Sequence, residues 1–212
     1  MSLPLDLTGV LATLQYHGGV LVTNPRPKTR STAKKREAAE RFVEPEGYVI
    51  YTDGALRRIL RRGSFAIIVV KDHQIIHELG HATGATTNNR MELGGVLWAL
   101  QYIRHYQLQG PVTIYSDSEY CVNSVTRWGP TWQRNGWRRT DGAAVQNQDL
   151  LERIFALLAQ LAPPPSVCWL SGHHGIPGNE RADAVATALV DDTAITLVRR
   201  PPDASTTSCL PV

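Results

Sequence analysis

Four carboxylates in this 212-residue chain stand where solubility does not call for an acid. Asp53 closes the run Tyr48-Val-Ile-Tyr-Thr-Asp-Gly54, a β-branched and aromatic stretch with strand character. Asp117 closes a second such run, Pro111-Val-Thr-Ile-Tyr-Ser-Asp. Glu92 falls in the first turn of a helix, beside an apolar stripe of Leu93, Val96, Leu97, Leu100 and Ile103. Asp183 sits one step round from Ala182, at the edge of the stripe Ala182, Val185, Ala186 and Leu189. Each acid has an ordinary reading: an Asp-Gly turn, or a carboxylate complementing a helix macrodipole. Four at ordered positions argue for convergence. Stacked acids raise one another's pKa and are unfavourable unless neutralised. Hard divalent cations neutralise them with oxygen ligands, magnesium or manganese above all. Two such ions roughly 3.5–4 Å apart can clamp a phosphodiester and activate water against it. His173 and His174 precede Asp183 in a loop, and a histidine beside such a cluster can move protons.

The elements that would carry these acids read in the order βββαβ, then helices, a strand and a helix. On a period of two, Val49, Tyr51 and Asp53 share one strand face, and Ile50 and Thr52 the other. SFAIIVV, the turn Lys71-Asp72-His73-Gln74 and IIHELGHA read as a hairpin. His73, His77 and His81 recur every fourth residue, but on a strand they lie about 13 Å apart, too far for one ion. They read as ordinary strand polar residues. After Asp117 a helix-like segment is expected with Tyr120, Val125 and Trp128 inward. In GPTWQRNGWRRT, Trp132 and Trp137 interleave with Arg134, Arg138 and Arg139. That pattern suits a nucleic-acid surface, and equally a helical corner of core tryptophans and solvated arginines. Asp149 is expected to cap an amphipathic helix running through Leu150, Ile154, Leu157, Leu158 and Leu161, which Pro163–Pro165 stops. Residues 166–170 form the last strand, and Pro177-Gly178-Asn179 starts the last helix. Two strands ending in Asp53 and Asp117 bring those acids side by side if they are parallel neighbours.

With 42% hydrophobic and 19% charged residues, the chain has a globular composition. No apolar run approaches the roughly 20 residues of a membrane span, so no membrane partner is expected. Cys121, Cys168 and Cys209 show neither zinc spacing nor an even set, which points to a reduced, cytoplasmic compartment. A net charge of +3 excludes a bulk polycation, but residues 26–36 carry six basic residues in eleven and no acid. That cluster reads as a solvated linker or as a tether adding salt-dependent affinity for a polyanion. The expected organisation is an N-terminal extension with a basic linker at 1–46, a domain at 47–190 and a disordered tail at 191–212.

TDG at 52–54, TTNNRMEL at 86–93, SDSEY at 116–120 and GHHGIPGNERADAVA at 172–186 resemble type 1 ribonuclease H, the bacterial enzymes above all. The resemblance covers about residues 47–190. It implies an α/β ribonuclease H-like fold: a five-stranded mixed sheet, three antiparallel strands then two parallel, flanked by helices. It implies an endonuclease that cuts the RNA strand of RNA/DNA hybrids with two magnesium ions, for which manganese can substitute. The expected products carry 5′-phosphate and 3′-hydroxyl ends, with little sequence preference and a monomeric enzyme. Asp53, Glu92, Asp117 and Asp183 match the metal ligands, with Asp53 bridging both ions. His173 matches a histidine assisting proton transfer or product release. Thr87, Asn88, Asn89 and Glu180 match groups near the substrate and metals. Trp132, Arg134, Trp137, Arg138 and Arg139 match the basic handle that grips the DNA strand. A wide A-form minor groove suits short Asn and Thr side chains.

The chain departs from that family after TDG, where ALRRILRR at 55–62 replaces a glycine-rich loop with its asparagine. Gln133 and Asn135 stand at handle positions that are often basic, which predicts weaker hybrid affinity. Of the competing readings, a nuclease acting as part of a reverse transcriptase is disfavoured by the absence of a polymerase segment. A non-catalytic hybrid-binding module would have lost a metal carboxylate, whereas all four are present. Another two-metal nuclease or transposase is disfavoured by TTNNRMEL.

Overall fold

The computed structural model describes residues 42–200. The basic cluster at 26–36, most of the expected extension and the segment 201–212 lie outside the described residues.

Strand β1 (Tyr48–Arg57) occupies the middle of a five-stranded sheet ordered β3-β2-β1-β4-β5. It pairs antiparallel with β2 (Arg62–Lys71), which pairs antiparallel with β3 (Gln74–Gly84). On its other side β1 pairs parallel with β4 (Val112–Ser116), and β4 pairs parallel with β5 (Ser166–Trp169). The mixed sheet is the expected one. Asp72 and His73 join β2 to β3 with φ of 50° and 61°. Two successive left-handed residues twist the turn in the sense the strands require.

Period-two alternation divides the core. Ile50, Ile67, Val69 and Ile114 face one side, with Leu93, Val96 and Leu100 of α1 (Asn88–His105) and Leu151 and Ile154 of α4 (Gln148–Leu158). Val49, Tyr51, Ala66, Ile68 and Val70 face the other, against Ala182, Val185 and Ala186 of α5 (Pro177–Val190). Each fully buried aliphatic side chain contributes about 1.5–3 kcal/mol relative to exposure. Between β4 and α4 run α2 (Glu119–Asn123), a π-helical turn (Ser124–Trp128) and α3 (Gly129–Arg134).

The structure corrects several expectations. The strand does not close at Asp53-Gly54: β1 continues to Arg57, pairing with Arg62, so the arginine-rich stretch is the end of a hairpin. Its tip leaves Ile59 98% and Leu60 59% exposed. Val125 is buried as expected, but Trp128 is 36% exposed, because the π-helical turn rotates it away from the α-helical stripe. Asp149 is not the cap of α4. Asn147, in a left-handed conformation with φ 59°, holds that position, and Asp149 pairs with Arg90 of α1 at 2.7 Å. His77 is no ordinary strand polar residue. It is buried, with a ring nitrogen 3.2 Å from the Tyr102 hydroxyl, and burial and the nearby Arg199 charge push its pKa down to about 4. Residues 191–200 do not hang free: Val198 and Arg200 bond back to β3, so the segment expected to be disordered from 191 is ordered as far as Arg200.

Candidate metal centre

Asp53 lies within β1, opposite Ala66 of β2, and is 7% exposed. Its Oδ1 accepts the Gly54 N–H at 2.7 Å, which fixes the carboxyl against its own strand. Asp117 follows the last residue of β4, and the parallel pairing of β1 with β4 up to Thr52↔Ser116 brings it beside Asp53. Glu92 enters from α1. Thr87 caps that helix, its Oγ1 accepting from the Arg90 N–H at 3.3 Å. Glu92 is its fifth residue, past the first turn, so burial rather than the helix macrodipole governs it. At 4% exposure it accepts from Asn88 Nδ2 at 3.3 Å on one oxygen, while Oε2 has no hydrogen-bond partner among the described residues.

Asp53, Glu92 and Asp117 each offer a carboxylate oxygen, all within 4.8 Å of one another. Asp183 of α5 is near enough for its charge to act on Asp53, but stands outside that compact trio with its side chain 42% exposed. Burial, then the charges of Asp117 and Asp183, push the Asp53 pKa up to about 8. Burial, then the charges of Asp53 and Asp117, hold Glu92 well above the usual carboxylate range. The arrangement fits a hard cation. It is an all-oxygen donor set, unfavourable when ionised alone, with one buried oxygen lacking a donor. Among the described residues it is the group of acids, histidines and cysteines gathered closely enough to hold a metal, and the spaced histidines of β3 form no such group.

His173 lies in the loop before α5 with φ 56°, its Nδ1 3.9 Å from Asp183 Oδ2. Asn88 and Asn89 follow Thr87 at the start of α1, beside Glu92. Glu180 is in the first turn of α5 and accepts the Gly175 N–H at 3.0 Å. In the basic segment, Trp132 and Trp137 are half-buried and pack on the core. Arg134 bonds back to Pro130 O at 3.2 Å, Arg138 to Gly142 O at 3.0 Å, and Arg139 to Asp141 at 2.8 Å. Trp132, Arg138 and Arg139, with Arg127 and Trp128, border a cavity of about 550 Å³. Both tryptophans thus pack on the core, and Trp132 also borders the basic hollow.

Three neighbours of Asp117 escape the sequence reading. Asn179, 2% exposed, reaches Asp117 Oδ2 from Nδ2 at 3.5 Å. Its signal was available, since an amide three residues before Ala182 lies on the buried stripe of α5. Trp169 donates from Nε1 to the Asp117 carbonyl at 3.0 Å. Gly172 packs so closely that a Cβ there would collide with the Asp117 carboxylate.

The RNase H family model matches residues 45–190. A ribonuclease H from a Cyanothece species is 43% identical over 144 residues, spanning 66% of this chain and 87% of that protein. The ribonuclease H of Thermosynechococcus vestitus is 37% identical over 155 residues, spanning 72% and 94%. Among solved structures, LC9-RNase H1, a type 1 RNase H with the type 2 active-site motif, superposes with a TM-score of 0.61 at 26% identity, covering 74% of this chain and 80% of that one. LC11-RNase H1, solved in complex with an RNA/DNA hybrid, shares the fold with a TM-score of 0.53 at 18% identity, covering 68% and 97%.

Proposed function

Because this chain belongs to the ribonuclease H family, we propose that it cuts the RNA strand of RNA/DNA hybrids internally by two-divalent-cation chemistry, leaving 5′-phosphate and 3′-hydroxyl ends. The observation that carries the reading is the compact trio of buried Asp53 and Glu92 with half-buried Asp117, in which Glu92 Oε2 has no hydrogen-bond partner among the described residues. Asp53, Glu92, Asp117 and Asp183 hold the cations, magnesium or in its stead manganese, with Asp53 central between its three neighbours. When bound, the ions supply a polarised phosphate, an activated water and stabilisation of the leaving 3′-oxygen.

The remaining steps belong to side chains. Asn179 and the Trp169 indole hold Asp117, so its carboxylate needs little reorganisation. His173, exposed in its loop beside Asp183, carries a proton to or from the reacting phosphate. Asn88 and Asn89 meet the minor groove beside Glu92, where an A-form hybrid presents its 2′-hydroxyls, and the Thr87 hydroxyl helps hold a DNA phosphate. Trp132, Arg134, Trp137, Arg138 and Arg139 grip the DNA strand, and Glu180 lies near the cations. Contacts to phosphate and sugar position the duplex without reading bases, so sequence preference is weak. The enzyme acts as a monomer in the cytoplasm. No helix among the described residues is long and apolar enough to cross a membrane.

Purified protein, magnesium and a hybrid labelled on its RNA strand test the reading. Internal RNA fragments are expected from the wild type and none from Asp53→Asn. A hybrid left intact by the wild type, or cut equally by both proteins, overturns it.

A further inference from the structure

Beyond the matched residues 45–190 the chain turns back onto the fold. The Glu78 N–H donates to Val198 O at 2.8 Å, the Arg200 N–H donates to Ile76 O at 2.6 Å, and Arg199 bridges His77 in antiparallel sense. Ile195 and Leu197 pack against the α5 side of the core. Residues 195–200 thus form a strap over part of the β3 edge.

One polar knot joins strap, sheet and helix. The Glu78 side chain has 0% exposure, and its oxygens accept from Arg181 Nε at 2.6 Å and Nη2 at 2.9 Å. Glu78 Oε2 also accepts the Val198 N–H at 2.7 Å, and Arg181 Nη2 donates to Thr196 O at 2.6 Å. A buried ion pair is tolerated only when its remaining hydrogen bonds are made, and here the strap makes them. Arg181 belongs to α5, two residues before Asp183. The start of α5 has no side-chain cap at Ile176, and Asp183 is the one acid of the four outside the compact trio. Its position therefore depends on how α5 is seated, more than Asp53, Glu92 or Asp117 depend on that helix.

We propose that the strap at 195–200, acting through the Glu78–Arg181 pair, positions α5 and with it Asp183, so that cation affinity depends on chain beyond the matched domain. The proposal rests on Asp183 being a cation ligand. Without the strap, the Glu78 carboxylate loses an amide donor and Arg181 a carbonyl acceptor. The pair then rearranges and α5 loses its fixed seat against β2 and β3.

The test uses the full chain with Val198→Pro, which removes the N–H donated to Glu78, and with the double variant Ile195→Ser/Leu197→Ser. Leu157→Ala, in the opposite core, controls for general destabilisation. Magnesium binding is measured by calorimetry without hybrid, and α5 amide exchange by mass spectrometry, at a temperature where circular dichroism shows every protein folded. Both strap variants are expected to weaken magnesium binding about tenfold, the scale of lost outer-shell support. They should also speed exchange in α5 and leave KM for the hybrid near wild type. Leu157→Ala should lower the melting temperature without either effect. Strap variants that melt earlier yet keep wild-type magnesium affinity and α5 exchange overturn the proposal. A wild type that binds no magnesium sinks the parent reading instead, and α5 exchange alone then decides whether the strap seats the helix.

Discussion

Gly54 is the contact point between β1 and α1: a Cβ placed on it would stand 2.8 Å from the backbone nitrogen of Glu92 and 3.0 Å from the carbonyl carbon of Met91. Both obstacles are backbone, so relief requires the helix to move. Gly54→Ala is expected to destabilise by about 1–3 kcal/mol, the usual cost of overpacking. That corresponds to a melting temperature lower by about 2–12 °C for a chain of this size. Because the atom displaced belongs to Glu92, activity on a labelled hybrid should fall further than the lost stability explains. A variant with wild-type melting and wild-type turnover would show that α1 has slack at this point.

Without divalent cations the site should make the protein less stable as pH rises. The Asp53 carboxyl ionises near 3.8 in an unfolded chain and near 8 in the folded one. Between those values the folded state keeps a proton that the unfolded state has released, so stability is full below the lower value and falls towards the upper. Glu92 shifts in the same direction and adds to the slope. Melting curves in chelator from pH 5 to pH 8 should show the decline, and Asp53→Asn should flatten it.

Magnesium should reverse that loss, since a cation that binds only the folded state stabilises it by about 2.7 kcal/mol at a hundredfold excess over Kd. At pH 8 this raises the melting temperature by about 5–11 °C. Asp53→Asn should lose most of the rise. Equal rises in both proteins would place the stabilising ion elsewhere.

What the sequence made legible was local and periodic. Asp53 and Asp117 stood out because each closes an apolar run of strand character, and parallel pairing of β1 with β4 brings them together. Glu92 and Asp183 stood out against helical stripes. The misses are of another kind. The extension of β1 through Arg57 depends on pairing with β2, and nothing in ALRR itself announces a strand. Asn147 holds the cap position of α4 through a left-handed backbone that asparagine tolerates, whereas Asp149, the more obvious cap, is drawn to Arg90 of α1, 59 residues away. Glu78 and Arg181 lie 103 residues apart, a separation at which no periodicity speaks. The sequence texture after Asp191 looked too polar to order, but its backbone is bound to β3 rather than held by side-chain burial alone.

The hairpin tip should contribute affinity through charge. Arg57 and Arg62 are held by Asp191 and Asp192, at 2.6 Å and 3.6 Å, whereas Arg58 and Arg61 are exposed beside Ile59 and Leu60. The latter two guanidiniums can meet phosphate without first leaving an ion pair to a described residue. Replacing both by serine should weaken hybrid binding and reduce the slope of log affinity against log salt by about 0.9 for each phosphate that is no longer neutralised. Binding measured on the Asp53→Asn background separates this from cleavage. An unchanged slope would mean that the tip stays clear of the duplex.

His173 offers the sharpest separation of chemistry from binding. Its left-handed backbone, φ 56°, and a ring 3.9 Å from Asp183 hold it at the rim of the acid cluster, with its side chain 68% exposed. So exposed a group contributes little to folding, and its removal should leave the melting temperature unchanged. A positioned proton carrier contributes roughly 100-fold to 10,000-fold in rate. His173→Ala should therefore lower kcat by about 100-fold or more, with KM for the hybrid close to wild type. The neighbouring His174 is tied to Gly172 O through Nδ1, so His174→Ala should instead disturb the loop and lose activity with a rise in KM. Should His173→Ala turn over at the wild-type rate, the proton must travel by solvent alone and the loop serves only to start α5.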